Sequence, residues 1–190
     1  MLELGQPCHA YDLDLIEGPI APRLARAGER CVLLDEKEVE LNDGTIVISD
    51  DSGGIGLAGI MGGLSTAVSD KTTRVFFEAA FWPPARMAGQ ARSYGLHTDA
   101  SLRFERGVDP MQQMRAVELA TRLIIDICGG QARPAEHTVD TGALPSRSAV
   151  LLRRTRLQKL LGLRIPDDRV EAILRGLELA VESTPEGWKA

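Results

Sequence analysis

Between Ile20 and about Phe81 the apolar residues come only in short runs, CVLLD, EVEL, TIVISDD, IGLAGIMGG and RVFFEAAFW, each interrupted by turn residues such as Asn42-Asp43-Gly44 and Ser52-Gly53-Gly54. Runs of strand length closed by glycine-containing turns restrict this part of the chain to a sheet-rich fold. The last run, VFFEAAFW, has seven apolar residues of eight, with Glu78 among them. Alternate residues of a strand share a face, which groups Phe76, Glu78, Ala80 and Trp82 against Val75, Phe77, Ala79 and Phe81. Both faces are apolar, so the strand is expected to be buried on both. An ionised carboxylate there costs several kcal/mol unless something hydrogen-bonds it. Glu78 is then either half of an internal arginine pair or a polar anchor in an apolar pocket, and burial leaves both open.

After Phe81 the period changes. Pro83-Pro84 initiates a short helix over ARMAGQARSY. Asp109-Pro110 opens a longer one ending at Gly129-Gly130, with Asp109 as cap and Pro110 at the first helical position. Met114, Val117, Leu119, Ala120, Ile124 and Cys128 mark its buried face, which should lie on the sheet. The segment 133–148 is rich in Pro, Gly, Ser and Thr and reads as a linker, with a domain boundary near 148. Beyond it the pattern predicts a strand (AVLLRR), a helix capped by Thr155, a second helix with Asp167 and Asp168 in its first turn, and the start of a hairpin in AVESTPEGWKA. About 40 residues with an unfinished hairpin make a thin core, so the chain is expected to be a piece of a longer protein.

The chain has 190 residues and a net charge of -5, which argues against nucleic-acid binding over its whole surface. Two arginine groups could still make local contacts: Arg86, Arg92, Arg103 and Arg106, then Arg147, Arg153, Arg154 and Arg156. No apolar run approaches the roughly 18 residues of a membrane span, so no membrane association is expected and a cytoplasmic location is the default. Cys8, Cys31 and Cys128 lack paired spacing and read as ordinary thiols.

Few residues announce chemistry on their own. LAGIMGG, residues 57–63, lets the backbone turn or approach a ligand closely, but matches no phosphate-binding loop. His9 in GQPCHAYD has no second histidine at ligand spacing, so no metal site is expected. No serine or cysteine stands in a nucleophile motif. GLHTDASLRFERGVDP, residues 95–110, reads as a polar loop lining a site, with Arg103, Glu105 and Arg106 as candidate internal ion pairs, or as a capped turn before the long helix.

GQPCHAYD, LAGIMGG, VFFEAAFW and GLHTDASLRFERGVDP, in this order and spacing, together resemble the bacterial phenylalanyl-tRNA synthetase beta-subunit family. The resemblance implies an α+β fold: a sheet-rich editing domain of β/β/α layers with the long helix packed on the sheet. That domain, N-terminally truncated, would span 1–147 with its linker, and a partial winged-helix-like small domain would span 148–190. By the same resemblance the editing domain hydrolyses tyrosine wrongly attached to phenylalanine tRNA. The full complex, an alpha2-beta2 heterotetramer with the alpha subunit, would use ATP and magnesium for aminoacylation; no cofactor is expected in this part.

Residue by residue, the family's phenol-recognising glutamate falls on Glu78 and its backbone contact on Gly62. Thr98 and Ala100 fall on pocket-shaping positions, Thr98 as a catalytic residue with His9 and Ala100 as a substrate-binding one, and His9 falls beside the scissile ester, holding water or the terminal ribose. Phe76 and Ala80 would flank the tyrosine ring. A family Thr-Asn pair lies upstream of MLELGQP, outside this chain. A pocket that reads a hydroxyl by hydrogen bonding discriminates by roughly 10⁴ to 10⁵, which an apolar pocket cannot. An activated ester needs only placed water and oxyanion donors, consistent with the missing nucleophile. The alternatives are a non-catalytic RNA-binding or scaffold module of the same subunit and a small-molecule-binding domain.

Overall fold

The computed structural model describes residues 1–139, 142, 144–146 and 148–190. Arg147, and with it the expected junction at 147–148, lies outside the described residues. The chain divides into two compact units, Met1–Pro145 and Ser146–Ala190.

The first unit is α+β. Strands β2 (Ala21–Leu24), β5 (Ile46–Asp50), β6 (Gly53–Leu57) and β7 (Met61–Gly62) form one antiparallel sheet in the order β2-β5-β6-β7. β3 (Arg30–Val32) and β4 (Glu38–Glu40) make a separate hairpin. The glycines expected to turn the chain at 62 and 63 do not. The positive-φ residue between β6 and β7 is Gly59, at φ 67°. Gly62 and Gly63 are needed for close approach instead: a Cβ on Gly63 would stand 2.5 Å from the Ile55 carbonyl oxygen.

β1 (Cys8–Asp12), which the sequence pattern did not mark as a strand, pairs antiparallel with β8 (Val75–Ala79). Its register sets His9 opposite Glu78 and Tyr11 opposite Phe76. Isolated bridges from Tyr11 to Ala67 and from Leu33 to Gly63 tie the rest of the unit together. β8 is not buried on both faces, as its composition suggested; Val75 and Phe76 are 43% and 38% exposed. The strand ends at Ala79, and Trp82, past its end, turns into the core with Tyr11, Leu33, Val47, Ile55, Leu57, Met87 and Phe104. Burying these side chains contributes on the order of 1.5–3 kcal/mol each before chain entropy is charged against them.

The segment after β8 carries four helices. The expected short helix is two, α1 (Pro84–Met87) and α2 (Gln90–Ser93), because Gly89 at φ 79° breaks it. The stretch read as a polar loop is α3 (Asp99–Arg106). Thr98 caps it by accepting from the Ser101 N–H, while Ser101 Oγ accepts from the Thr98 N–H, so the capping box closes with serine where Glu or Gln is usual. The expected ion pairs there do not form among the described residues; Glu105 accepts the Gly89 N–H at 3.1 Å instead. α4 (Gln113–Cys128) packs against β8. It begins later than Asp109-Pro110 because Asp109 closes a turn of its own, accepting from the Met111 N–H at 2.9 Å. Its burial is confined to the first turns, at Gln113 and Ala116, and Ile124 and Cys128 are exposed.

A buried amide chain seats the N-terminal segment. The Gln6 amide donates to the Ala80 carbonyl at 2.9 Å and accepts from Gln113 at 3.1 Å. One side chain thereby fixes the approach to β1 against the end of β8 and the start of α4.

The second unit runs β9 (Leu151–Arg153), α5 (Arg154–Leu161), α6 (Asp167–Gly176), β10 (Glu182–Ser183) and β11 (Gly187–Lys189), with sheet order β10-β11-β9. The tail expected as an outgoing hairpin arm makes both arms: β11 returns to pair with β10 and β9. Gly187 permits this, since a Cβ there would stand 2.0 Å from the Leu152 carbonyl oxygen. Thr155 is not the cap of α5. The cap position falls on Arg153, two residues earlier, and the Arg154 N–H donates to the Glu186 carbonyl at 3.0 Å, leaving a side-chain cap unnecessary.

Candidate functional site

The pairing of β1 with β8 creates the site. Directly opposed residues of an antiparallel pair place their Cβ atoms about 4.5–5.5 Å apart on one face, so His9 and Glu78 are neighbours by register. Tyr11, two residues on from His9, shares that face. These side chains border a cavity of about 80 Å³, whose other wall is the β6–β7 hairpin with Ala100 and Phe104 of α3. Ala58, Gly59, Ile60, Met61 and Gly62 line that wall. Such a cavity is smaller than the roughly 300 Å³ of a drug-sized pocket and suits a side-chain-sized guest.

Glu78 forms no ion pair with an arginine among the described residues. Its Oε2 accepts the Tyr11 phenol at 2.5 Å. Burial raises the Glu78 carboxyl above the usual carboxylate range, and the Tyr11 hydrogen bond works against that rise. Burial likewise pushes the Tyr11 phenol far up, reinforced by the charge of Glu78 and their hydrogen bond, so the phenol stays protonated and donates. The remaining carboxylate oxygen, Oε1, has no hydrogen bond among the described residues.

His9 is held edge-on to Tyr11, ring centroids 4.4 Å apart. Its Nε2 is buried with no hydrogen-bond partner among the described residues. Burial lowers the His9 pKa, so the imidazole is neutral near pH 7. Gly62 makes room for it: a Cβ on Gly62 would stand 2.3 Å from His9 Cε1 and 2.4 Å from Nε2. A neutral ring nitrogen without a partner and a carboxylate with an open oxygen leave two points on the cavity wall where a polar group can hydrogen-bond.

The expected site residues are distributed unequally around this cavity. His9, Gly62, Glu78, Ala80 and Ala100 line it. Thr98 does not: its hydroxyl donates to the Ile60 carbonyl at 2.9 Å and caps α3, which ties that helix to the β6–β7 turn. Phe76 also lies outside the lining, its ring 5.9 Å from that of Tyr11. Tyr11, in the same motif as His9, also lines the cavity, and period-2 alternation in HAYD is the sequence signal that places it on the face of His9.

Of the arginines, Arg86, Arg92 and Arg106 are exposed, Arg103 is half-buried, and none of them forms an ion pair among the described residues. Arg154 is committed internally: its guanidinium lies 4.5 Å over the ring of buried Trp188, and Nε bonds Asp167 at 2.9 Å. It is not free for an RNA phosphate, whereas Arg153 and Arg156 are exposed. Among the described residues no three His, Cys, Asp or Glu side chains gather where they could hold a metal ion. No helix among the described residues is long and apolar enough to cross a membrane.

Residues 1–129 match the family model described as the B3/4 domain. The whole chain is 47% identical to the phenylalanine–tRNA ligase beta subunit of Xanthomonas campestris pv. campestris strain 8004 over 189 residues, and to that of Pectobacterium atrosepticum over 190. It spans 24% of the length of each of these relatives. A crystal structure of an N-terminal fragment of the phenylalanyl-tRNA synthetase beta subunit from Pyrococcus horikoshii is similar at a TM-score of 0.40 and 15% identity, over 96% of this chain and 52% of that one.

Proposed function

We propose, from the premise that this chain belongs to the B3/4 domain family, that its cavity edits phenylalanine tRNA by hydrolysing the ester of tyrosine mischarged onto it. The observation that carries this reading is the cavity with a carboxylate at one point and an unpartnered neutral imidazole at another. Tyrosine and phenylalanine differ by one hydroxyl, and Glu78 supplies a buried acceptor for that hydroxyl. Phenylalanine leaves the acceptor unsatisfied and is disfavoured.

His9 would hold the attacking water or a hydroxyl of the terminal ribose through Nε2. Gly62 keeps the wall of the cavity back from that ring, and Ala100 keeps the opposite wall low. Thr98 acts here as a support, fixing α3 to the Ile60 turn. An aminoacyl ester is activated, so placement of water and polar groups supplies much of the barrier reduction without a nucleophile. The mischarged tRNA and the synthetase alpha subunit are the partners this reading implies, in a heterotetramer whose aminoacylation step uses ATP and magnesium elsewhere.

The test is deacylation of tyrosyl and phenylalanyl esters of phenylalanine tRNA by the full-length subunit in its complex. Tyrosine should be released preferentially, and Glu78→Ala should cut that preference roughly 10- to 100-fold, the worth of one hydrogen bond to a charged group. Unchanged release of tyrosine by the variant would end the assignment of Glu78.

A further inference from the structure

We propose that Tyr11 is a positioning residue for specificity: its phenol fixes the Glu78 carboxylate through Oε2 and so directs Oε1 at the hydroxyl of the incoming side chain. The proposal rests on the editing reading above and adds a residue to it. A glutamate's terminal torsion is broad and roughly two-fold, so an untethered Glu78 carboxylate would sample many planes. Tyr11 removes that freedom because it is itself immobile. It is 1% exposed, pairs with Phe76 along β1 and β8, bridges Ala67 on its other side, and is packed edge-on by His9. A rigid donor on one oxygen sets the direction of the other.

The hydroxyl also supplies a function that phenylalanine at position 11 would not. A carboxylate accepts at two oxygens, and Tyr11 uses one. The first phenol is thus internal and permanent, and the second is the ligand's. Orientation established before binding removes part of the ordering cost at the moment of binding, and that gain falls only on ligands that engage Oε1.

Tyr11→Phe keeps the ring, its packing on His9 and Phe76, and the volume of the core. In the full-length subunit within its complex, the variant is expected to raise KM for the tyrosyl ester about tenfold with kcat retained, the signature of lost uniform binding. The phenylalanyl ester, which has no hydroxyl to meet Oε1, should keep its kcat/KM; this also shows that the fold is intact. A purely structural role would weaken both esters together, and that result, or an unchanged KM for the tyrosyl ester, would overturn the proposal.

Calorimetry with free L-tyrosine and L-phenylalanine separates this proposal from the reading it rests on. If neither protein hydrolyses the tyrosyl ester, the editing reading fails. Tyr11 then still stands if the native protein prefers tyrosine and the variant loses that preference about tenfold, and it falls if the two proteins bind tyrosine alike or the native protein shows no preference.

Discussion

Two glutamates of the first unit, Glu29 beside β3 and Glu78 on β8, face the same problem of partial burial and meet it in opposite ways. Glu29 is saturated. Both of its oxygens accept from the Arg23 guanidinium, at 2.5 and 2.8 Å, and Oε2 also accepts the Arg26 N–H at 2.8 Å. The arginine hydrogen bonds hold its carboxyl down to about 2 despite some desolvation. Glu78 has one neutral donor and no cation, and its carboxyl is pushed up. A carboxylate used to hold a structure together has its lone pairs filled and its charge matched. One with a single neutral donor is left underbonded at a cost to stability, which the surrounding fold must absorb.

The largest expected effect comes from pressing on the empty side of this contrast. Gly62→Ala should lower deacylation of the tyrosyl ester about 100-fold, because the new methyl must displace the His9 ring and misplacement near 1 Å costs about that much. Gly54→Ala is the matched control beside Glu29. There the added Cβ would lie 3.1 Å from Glu29 Oε1, outside the lining of the cavity, and the steady-state rate should not change. Equal losses in the two variants would mean that Gly62 acts through general packing. Next in size, Arg23→Ala should destabilise the first unit by about 2–3 kcal/mol, leaving Glu29 with backbone donors only. Glu78→Gln should leave stability at pH 7 equal or higher, since it keeps an acceptor for Tyr11 and removes a buried charge. Urea unfolding followed by Trp82 fluorescence in a Trp188→Phe background reads this unit alone, and loss of stability in Glu78→Gln would erase the distinction.

Those two environments also differ in how far the sequence discloses them. Strand-length runs between glycine turns located β3 to β8, and Asp167-Asp168 located α6, because both are local patterns. β1 escapes such a reading because its five residues, CHAYD, mix polar and apolar types and acquire strand character by pairing with β8, which is remote in the chain. The same pairing is what joins His9 to Glu78. Family motifs could nominate both residues, but no spacing could show that they face each other. The partner of Glu78 was open for a related reason: burial demands a hydrogen-bond donor without saying which, and arginine was the more obvious one. The capping box at Thr98 was legible as Thr-x-x-Ser, and its neighbours' polarity obscured it. The hairpin in the second unit looked unfinished because its returning arm, Gly187–Lys189, is only three residues long and is held as much by β9 as by β10.

The smallest effect, and the most direct comparison of the two glutamates, is in the pH dependence of stability. Glu29 has its folded pKa lowered from 4.5 to about 2, so in the folded state it resists protonation. Its contribution is fully present above pH 4.5 and is lost as pH falls toward 2. Glu78 has its folded pKa raised above 4.5, so the folded state binds its proton more tightly than the unfolded chain does. Stability therefore falls as pH rises from 4.5 through the raised value and is level beyond it. The two residues thus give slopes of opposite sign on either side of pH 4.5. Glu29→Gln should flatten only the acid limb of the curve, and Glu78→Gln only the limb above it. If Glu78→Gln ran parallel to the native protein from pH 4.5 to 8, the carboxylate would be ionised at no cost, and the underbonded state inferred for it would not exist.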